Sequence, residues 1–378
     1  MTKEINVGLI GLGYIGKIHA LAYRDIPYCY ANAPVKANLV AVLRSQLDTE
    51  QEVMQQAGFQ VMTTHPDEFF AQKLDVVDIC SPNNLHREQA ERALRAGMAV
   101  YCEKPLACSY GDADAMAALS ESSGAMTQVA YVMRYTPAIR QMKALIDAGE
   151  LGQILNFRGQ LFHSSYLDRD RPMSWRLRCS ESGGGAFMDL GAHLVDIAHY
   201  LLGGTSSVRA LTRTWIADRC VAAGSREREE VSVDDWGLVV MESKCGAVGV
   251  LEATRMAAGA TDAVGFEVYG TEGSATFRAS QPELVEFHSL KRRQWLRGAL
   301  DLPPLGGERP TEKLWASGKY SQGYFMNHHM AAEYDLLLNV AEGRRSPCNF
   351  RSAAKAQEVI EAAYRSAAQG GELVRLPL

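Results

Sequence analysis

The sequence predicts an α/β domain built on a parallel sheet, followed by an α+β domain with a large, mostly antiparallel open sheet. Short apolar runs alternate with helical patterns up to about residue 131, and a glycine-rich turn follows the first of these runs. Alternating β segments dominate from residue 154 onward. Strict strand–helix alternation is typical of parallel βαβ units with right-handed crossovers. We therefore expect two domains, 1–133 and 134–378, with a C-terminal helix at 352–369 that packs back on the first domain.

Six strands and four helices are expected in the first domain. Apolar runs bounded by turn residues indicate strands, here at residues 5–10, 39–43, 61–62, 76–80, 98–102 and 127–131. Helices are expected at residues 15–23, 48–58, 85–96 and 112–122, and residues 28–36 are expected to form an insertion.

The second domain carries mostly β patterns. Strands are expected within residues 154–162, 207–216, 231–242, 246–254, 265–269 and 274–277, with a hairpin turn between the last two. Helices are expected at 185–202, 327–342 and 352–368, and residues 289–322 are expected to be irregular.

Composition excludes several functional classes. The 378 residues carry a net charge of −5, and no basic stripe marks a nucleic-acid surface. No apolar run approaches the ~18 residues that a membrane span needs. The eight cysteines are scattered without C-x-x-C spacing, which indicates reduced thiols and a cytoplasmic protein.

The glycine-rich turn predicts a dinucleotide site. Gly11, Gly13 and Gly16 follow a predicted strand and open a helix, with Tyr14 and Ile15 between the last two. Such a site needs a tight turn, an unobstructed backbone for the pyrophosphate, and helix N–H groups facing the phosphates. A glycine-rich turn without a ligand is the alternative.

The end of the second strand indicates which dinucleotide is bound. An acidic residue that would bind the adenosine ribose is missing there, and Arg44 stands in its place. An arginine suits a 2′-phosphate, so the sequence slightly favours NADP over NAD. Alternatively Arg44 stacks on adenine, and Asp48 or no residue contacts the ribose.

Two further loops follow predicted strands and should reach the same sheet edge. Ser81, Pro82, Asn83 and His86 lie in the first loop, where we expect coenzyme contacts. The alternative is a helix start capped by Asn83 or Asn84, and both can hold together.

The second loop is Glu103-Lys104-Pro105. A lysine ammonium beside a reacting hydroxyl can stabilise developing negative charge and can relay a proton. The alternative is a Lys–Glu surface pair. The position directly after a predicted strand favours a catalytic lysine.

An acid and a histidine follow the run Gly183-Gly184-Gly185. Asp189 and His193 are four residues apart and are expected on one helix face. Oxidation of a hydroxyl needs a base of near-neutral pKa, which histidine supplies, and Asp189 can orient it or hold a substrate hydroxyl. A helix-face pair without a role is the alternative.

No metal site is expected. His328, His329 and Glu333 have metal-ligand spacing, but no further ligand stands near them in the sequence.

Taken together, GLGYIG, SPNNLH, YCEKP, QVAYVMRYTP and GGGAFMDLGAHLVD resemble the Gfo/Idh/MocA family (glucose–fructose oxidoreductase, inositol dehydrogenase and rhizopine-catabolism proteins) over essentially the whole chain. The resemblance implies a Rossmann domain, a second domain with a large open sheet, and oxidation or reduction of a sugar or cyclitol. It assigns catalysis to Lys104, Asp189 and His193 and coenzyme contacts to Glu103 and Lys104. It adds Arg134 and Tyr135 to the floor of the substrate pocket.

The loop 166–178 is the expected specificity element, because carboxylates and an aromatic wall suit polyols. Trp175 and Arg176 are its candidate substrate contacts, and a solvated charged loop is the alternative. The loop resembles that of family members that oxidise pyranosides at carbon three.

The sequence therefore predicts an NAD(P)-dependent dehydrogenase that acts on a secondary hydroxyl of a sugar, glycoside or cyclitol such as inositol. A dinucleotide-binding regulator of the same fold and an imine- or biliverdin-type reductase are the alternatives. The resemblance further implies a homodimer or homotetramer.

Overall fold

The computed structural model describes residues 2–47, 51–316 and 318–378 and divides into two compact units. The first unit comprises residues up to 107, 111–135 and 309–354, and the second comprises 108–110, 136–308 and 355–378. Residues 309–354 thus group with the first unit, although the sequence placed them after the predicted boundary at 133. Burial explains the difference, because the helix within this segment packs against the first helix and first two strands of the chain.

The first unit is organised by a parallel sheet. In chain order up to residue 129 the elements are β1 (Lys3–Ile10), α1 (Tyr14–Cys29), β2 (Val35–Leu43), α2 (Gln51–Ala57), β3 (Val61–Thr63), α3 (Pro66–Phe70), β4 (Val76–Ile79), α4 (His86–Arg95), β5 (Ala99–Cys102), α5 (Tyr110–Ser123) and β6 (Thr127–Val129). The strand order is β3-β2-β1-β4-β5-β6 with every pair parallel. This is the predicted Rossmann topology, and its order reverses between β1 and β4.

The remaining elements form the second sheet and the helices around it, together with two helices of the first unit. They are α6 (Pro137–Asp147), β7 (Ile154–Phe162), α7 (Cys179–Ser182), α8 (Ala186–Asp189), α9 (Gly191–Leu202), β8 (Thr205–Arg213), β9 (Asp218–Cys220), β10 (Arg228–Glu230), β11 (Trp236–Ser243), β12 (Val248–Thr254), β13 (Ala263–Gly270), β14 (Gly273–Arg278), β15 (Val285–Ser289), β16 (Gln294–Gly298), α10 (Thr311–Leu314), α11 (Tyr324–Glu342), α12 (Phe350–Ala368) and β17 (Val374–Arg375). Of these helices, α10 and α11 belong to the first unit. The large sheet has the order β16-β15-β14-β13-β7-β12-β11-β8-β17, and only its β7–β12 pair is parallel. The predicted mostly antiparallel open sheet is therefore confirmed.

Helix α1 corrects one expectation. It continues to Cys29 through Pro27, and β2 begins at Val35, so the predicted insertion at 28–36 is reduced to the connection 30–34 between two regular elements. Tertiary packing explains the extension, because burial of one helix face outweighs local propensity. Tyr30 secures the helix end, with its ring stacked 4.1 Å from that of Tyr334.

Two expectations for the second unit are also corrected. The helix predicted at 185–202 is broken at Leu190 into α8 and α9. The segment 289–322, predicted to be irregular, contains β16 and α10, and β16 pairs with β15 in an antiparallel hairpin. The hairpin predicted between residues 269 and 274 is present, joining β13 to β14.

Helices cover one face of the large sheet. Helix α9 packs on β7 and β12, α8 packs on β11 and β12, and α6 packs on β14 and β15. Alternating side chains of these strands are buried, as expected for a sheet with one covered face. This packing fixes the helix pair that carries Asp189 and His193.

All eight cysteines lie in the described part of the chain as free thiols. None of the described helices combines the length and apolar character needed to cross a membrane.

Candidate active site

The strand ends of the first unit meet at one edge of its sheet. The Gly11 N–H donates to Leu43 O at 2.9 Å, and the Glu103 N–H donates to Ile79 O at 2.9 Å. The ends of β1, β2, β4 and β5 are thereby tied together through the backbone. The edge carries the glycine-rich turn, Arg44, the loop after β4 and Lys104, which is the grouping that the sequence predicted.

The three glycines of the turn differ in their steric surroundings. Gly11 has a φ of +89°, and a Cβ there would lie 2.8 Å from Cys80 O. A Cβ on Gly16 would lie 2.1 Å from Gly11 O, so only glycine permits this close packing of turn and helix. Gly13 differs, because a Cβ there would meet no atom within 4 Å. The open space at Gly13 is where a ligand can approach the backbone.

The start of α1 fits the pyrophosphate of a dinucleotide. Gly13 caps the helix without a side-chain hydrogen bond, so its first N–H groups face outward. Tyr14 is 73% exposed and Ile15 is half-buried. Helix N-termini with free N–H groups bind phosphate, and these residues are the ones that would hold it.

Arg44 lies directly after β2 and is half-buried, and its N–H donates to Thr63 O at 3.0 Å. Its position at the end of the second strand is the one at which the adenosine ribose is recognised in this topology. The alternative ribose contact, Asp48, lies outside the described residues.

The loop after β4 is held in place by a buried histidine. His86 Nδ1 lies 3.1 Å from Pro105 O and Nε2 lies 3.0 Å from Ser81 O, so its ring joins the loops that follow β4 and β5. Burial lowers the pKa of His86. The side chain therefore positions the loop, while Pro82 and the buried Asn83 form the turn itself. Leu85 occupies the N-cap position of α4, and capping by Asn83 or Asn84 stays a prediction.

Lys104 follows β5 as predicted and is half-buried. Its N–H donates to Glu103 Oε2 at 3.1 Å. Glu103 is itself buried, with 7% of its surface exposed. The glutamate of this motif thus supports the lysine from the protein interior.

Arg134 and Tyr135 are buried in a short turn at Val132–Tyr135 of the first unit. The Tyr135 hydroxyl donates to Asp335 of α11 at 3.1 Å, and Arg134 Nη1 lies 3.5 Å from Pro347 O. These contacts give both side chains a structural role, and a substrate contact remains a prediction.

The triple glycine of the second unit permits a close backbone approach. A Cβ on Gly184 would lie 2.5 Å from the Tyr364 hydroxyl, and one on Gly185 would lie 1.9 Å from Asp234 O. Asp234 accepts hydrogen bonds from the N–H groups of Gly185 and Phe187, which fixes the start of α8. The sequence motif therefore sets where α8 ends and where Asp189 lies.

Asp189 has a partner that the sequence analysis missed. Arg255 Nη2 lies 2.9 Å from Asp189 Oδ2, and the Arg255 side chain is 3% exposed whereas that of Asp189 is 27% exposed. The Arg255 guanidinium also lies 4.8 Å from the ring centroid of Tyr166. Burial alone would lower the pKa of Arg255, but Asp189, Tyr166 and Asp234 together outweigh it and the pKa is raised. The signal in the sequence that could have indicated this partner is the position of Arg255 directly after the strand β12.

His193 lies half-buried in the first turn of α9, and its N–H donates to Leu190 O at 3.2 Å. Because the helix is interrupted at Leu190, Asp189 lies at the end of α8 and His193 lies in the first turn of α9. The predicted continuous helix face is thus replaced by two adjoining helix ends.

The predicted specificity loop, 166–178, is held in place by hydrogen bonds from a buried arginine. Arg219 is fully buried and donates to Tyr166 O and Asp168 O, both at 2.6 Å. Trp175 and Arg176 lie in a short turn of this loop, half-buried, with the Arg176 guanidinium 4.3 Å from the Trp175 ring centroid. The loop therefore has a fixed base, which a merely solvated loop would not need.

Comparisons with known proteins agree with this architecture. Residues 5–131 match the model "Oxidoreductase family, NAD-binding Rossmann fold", and residues 139–276 match "GFO/IDH/MocA C-terminal domain". Levoglucosan dehydrogenase of Pseudarthrobacter phenanthrenivorans is 31% identical over 97% of each chain. The scyllo-inositol 2-dehydrogenase (NAD(+)) of Bacillus subtilis is 28% identical over 96% of this chain and 99% of its own. A solved levoglucosan dehydrogenase in complex with NADH and L-sorbose superposes with a TM-score of 0.90 at 32% identity, covering all of both chains.

Proposed function

Because the chain belongs to the GFO/IDH/MocA family of NAD-binding oxidoreductases, we propose that it oxidises a secondary hydroxyl of a pyranose sugar of the levoglucosan class. Carbon three is the proposed reacting carbon. The end-to-end similarity to levoglucosan dehydrogenase carries the choice of substrate class. The carbon is supported by the likeness of the loop 166–178 to that of members that oxidise pyranosides at that position.

The proposed mechanism distributes roles among three residues. His193 removes the hydroxyl proton, since an imidazole is a base of suitable strength near neutral pH. Lys104 donates a hydrogen bond to the reacting oxygen and stabilises the negative charge that develops on it. A bound nicotinamide coenzyme supplies the hydride acceptor.

Asp189 orients rather than accepts the proton. Arg255 holds one carboxylate oxygen at 2.9 Å, and Asp189 stays partly exposed. A carboxylate fixed in this way can accept a hydrogen bond from a second sugar hydroxyl or from the imidazole of His193. Arg255 joins the proposed machinery as a positioning residue.

NADP is proposed as a coenzyme alongside NAD. Support comes from Arg44 at the end of β2, because a guanidinium forms strong, often bidentate, hydrogen bonds with a phosphate. Arg44 thus gives the adenosine 2′-phosphate a partner where other members of the fold carry an acid.

The test is coenzyme reduction across a substrate panel, with NAD and NADP separately. The panel contains levoglucosan, glucose, simple glucosides, myo-inositol, scyllo-inositol and sugar phosphates. The proposal expects levoglucosan or a glucoside to give the highest kcat/KM. Highest activity with an inositol would replace the substrate class, and no reduction of bound coenzyme by any panel member would argue for the regulatory or reductase alternatives.

A cytoplasmic homodimer or homotetramer is proposed as the working form. Eight free thiols suit a reducing compartment. The strands of the large sheet leave apolar side chains such as Leu211, Val240 and Val248 about two-fifths exposed, and exposed apolar patches mark subunit contacts. Light scattering coupled to size exclusion would measure the mass, and a monomer at micromolar concentration would contradict the proposal.

A further inference from the structure

A buried ionisable cluster lies beneath the coenzyme edge of the first unit. His19 of α1 is fully buried, with its Nδ1 3.0 Å from Asp78 Oδ2 and its Nε2 3.2 Å from Glu103 Oε1. Asp78 is likewise fully buried, in the middle strand β4. The ring of His19 thus bridges carboxylates from two neighbouring strands.

The two contacts favour the charged form of this histidine. A neutral imidazole donates only one hydrogen bond, so one of the two carboxylates would face a nitrogen lone pair. An imidazolium donates from both nitrogens and also balances a buried negative charge, which would otherwise be costly. The contact to Asp78 is an aligned hydrogen bond, while the contact to Glu103 is an ion pair.

The cluster connects directly to Lys104. Glu103 faces His19 with one carboxylate oxygen and accepts the Lys104 N–H with the other at 3.1 Å. A continuous path therefore runs from Asp78 through His19 and Glu103 to the backbone of Lys104. Every group in it belongs to the first unit.

We propose that His19 is a positioning residue for the reaction, a buried imidazolium that fixes Glu103 and through it the backbone from which Lys104 reaches the substrate. The proposal rests on the proposed function for its kinetic consequence. The charged state of His19 is a property of the first unit alone.

All titratable neighbours of His19 bear on its charge. Asp78 and Cys80 face it from β4 and the loop beyond, Tyr101, Cys102 and Glu103 from β5 and its end, His329 and Glu333 from α11, and Tyr23 from α1 itself. Burial alone would lower the pKa of His19, but Asp78 and the other acidic neighbours outweigh it and raise the pKa. Burial raises the pKa of Glu333.

A metal ion would compete for the same atoms. Donor atoms of His19, His329 and Glu333, and those of His19, Asp78 and Cys80, lie within 4.8 Å of one another. A cation there would have to displace the proton shared between His19 and Asp78. The imidazolium is hydrogen-bonded to Asp78 and ion-paired with Glu103 without a metal ion, so a chelator should leave activity and thermal stability unchanged.

The first experiment reads the charge of His19 without any substrate. Protein labelled with ¹⁵N-histidine is measured by NMR at a pH well above the ordinary histidine pKa of about 6.5, with His19→Gln to assign the resonance among nine histidines. We expect two protonated ring nitrogens on His19. A neutral tautomer, or a resonance that moves only when metal is added or removed, would overturn the proposal whatever the enzyme's substrate is.

The second experiment is a double-mutant cycle. His19→Gln is expected to lower kcat by up to about 100-fold, because small misplacements at a reacting centre have effects of that size. Its effect on the coenzyme Kd should be small. In a Lys104→Met background it should have no further effect on kcat, since the two residues act in series. Independent, multiplying effects would contradict the positioning role.

Two further variants serve as a control and as an alternative for the double-mutant cycle. The exposed His65 caps α3 without a side-chain hydrogen bond, so His65→Gln should leave kcat unchanged. If His19→Gln does not fold, Asp78→Asn removes the charge that holds the imidazolium while preserving shape. It should reproduce both the loss of kcat and its absence in the Lys104→Met background. Wild-type kcat in folded Asp78→Asn would overturn the proposal.

Discussion

Both units place a buried cation next to a residue proposed for chemistry, but they use different cations. In the first unit the imidazolium of His19 lies between Asp78 and Glu103 and supports Lys104 through the backbone. In the second unit the guanidinium of Arg255 holds Asp189 directly and packs on Tyr166. A histidine can lose its charge within the accessible pH range, whereas an arginine cannot.

The difference predicts where pH dependence will arise. The His19 pKa is raised in the fold, so its contribution to stability is complete below about pH 6.5 and is lost as the pH rises through the folded-state value. The raised pKa of Glu333 acts in the same direction, because the unfolded chain releases that proton first. The Asp189–Arg255 pair should contribute no such alkaline loss.

The strongest test of the first-unit site is Lys104→Met. Loss of the ammonium should lower kcat at saturating coenzyme by about 10³-fold, the usual range for a positioned acid–base group. Steady-state kinetics and a coenzyme titration check this. The matched control is Lys36→Met, an exposed lysine at the start of β2, and equal losses in both variants would remove Lys104 from the mechanism.

In the second unit, Asp189→Asn tests the contribution of the pair with Arg255, whose charge does not change within the accessible pH range. It leaves Arg255 without its carboxylate and should cost about 3 kcal/mol of unfolding free energy, together with a fall in kcat. Denaturant titration measures it, and the loss should be the same at neutral and alkaline pH. The exposed pair Glu286–Arg297 provides the control, since Glu286→Gln should cost less than about 1 kcal/mol.

Glu333→Gln sharpens the contrast by replacing a carboxyl whose pKa burial raises with an amide that does not titrate. The variant should gain stability relative to wild type as the pH rises from about 5 to 8, because the wild-type carboxyl releases its proton more readily in the unfolded chain. Melting temperatures across that range test the sign. Glu52→Gln on the exposed face of α2 should give a flat difference, and a flat difference for Glu333→Gln as well would mean that this carboxyl is ionised in the fold.

The smallest expected effect concerns the coenzyme. Arg44→Ala should reduce kcat/KM with NADP about tenfold relative to NAD, the equivalent of one charged contact worth ~1.4 kcal/mol. Arg24→Ala, at an exposed position of α1, should leave that ratio unchanged. An unaltered ratio in Arg44→Ala would leave adenine stacking as the role of Arg44.

The sequence predicted the features that depend on neighbouring residues. It did not predict contacts between residues that are far apart in the chain. The strand–turn–helix around Gly11 and the strand end before Lys104 are set by neighbouring residues, so pattern reading found both. His19 and Asp78 are 59 residues apart, and Asp189 and Arg255 are 66 apart. No periodic pattern in the sequence indicates that residues so far apart in the chain are in contact. The break at Leu190 was not predicted either; beside it, a Cβ on Gly191 would lie 2.7 Å from the ring of Phe187.

The most direct test of the account is to follow deuterium from levoglucosan labelled at carbon three. Wild-type enzyme is incubated with this sugar and each coenzyme in turn, and the reduced nicotinamide is analysed by mass spectrometry. The account predicts reduced coenzyme that carries one deuterium per molecule. Reduced coenzyme without the label would assign the reaction to another carbon. No reduction of either coenzyme, while both still bind, would contradict the proposed oxidation itself.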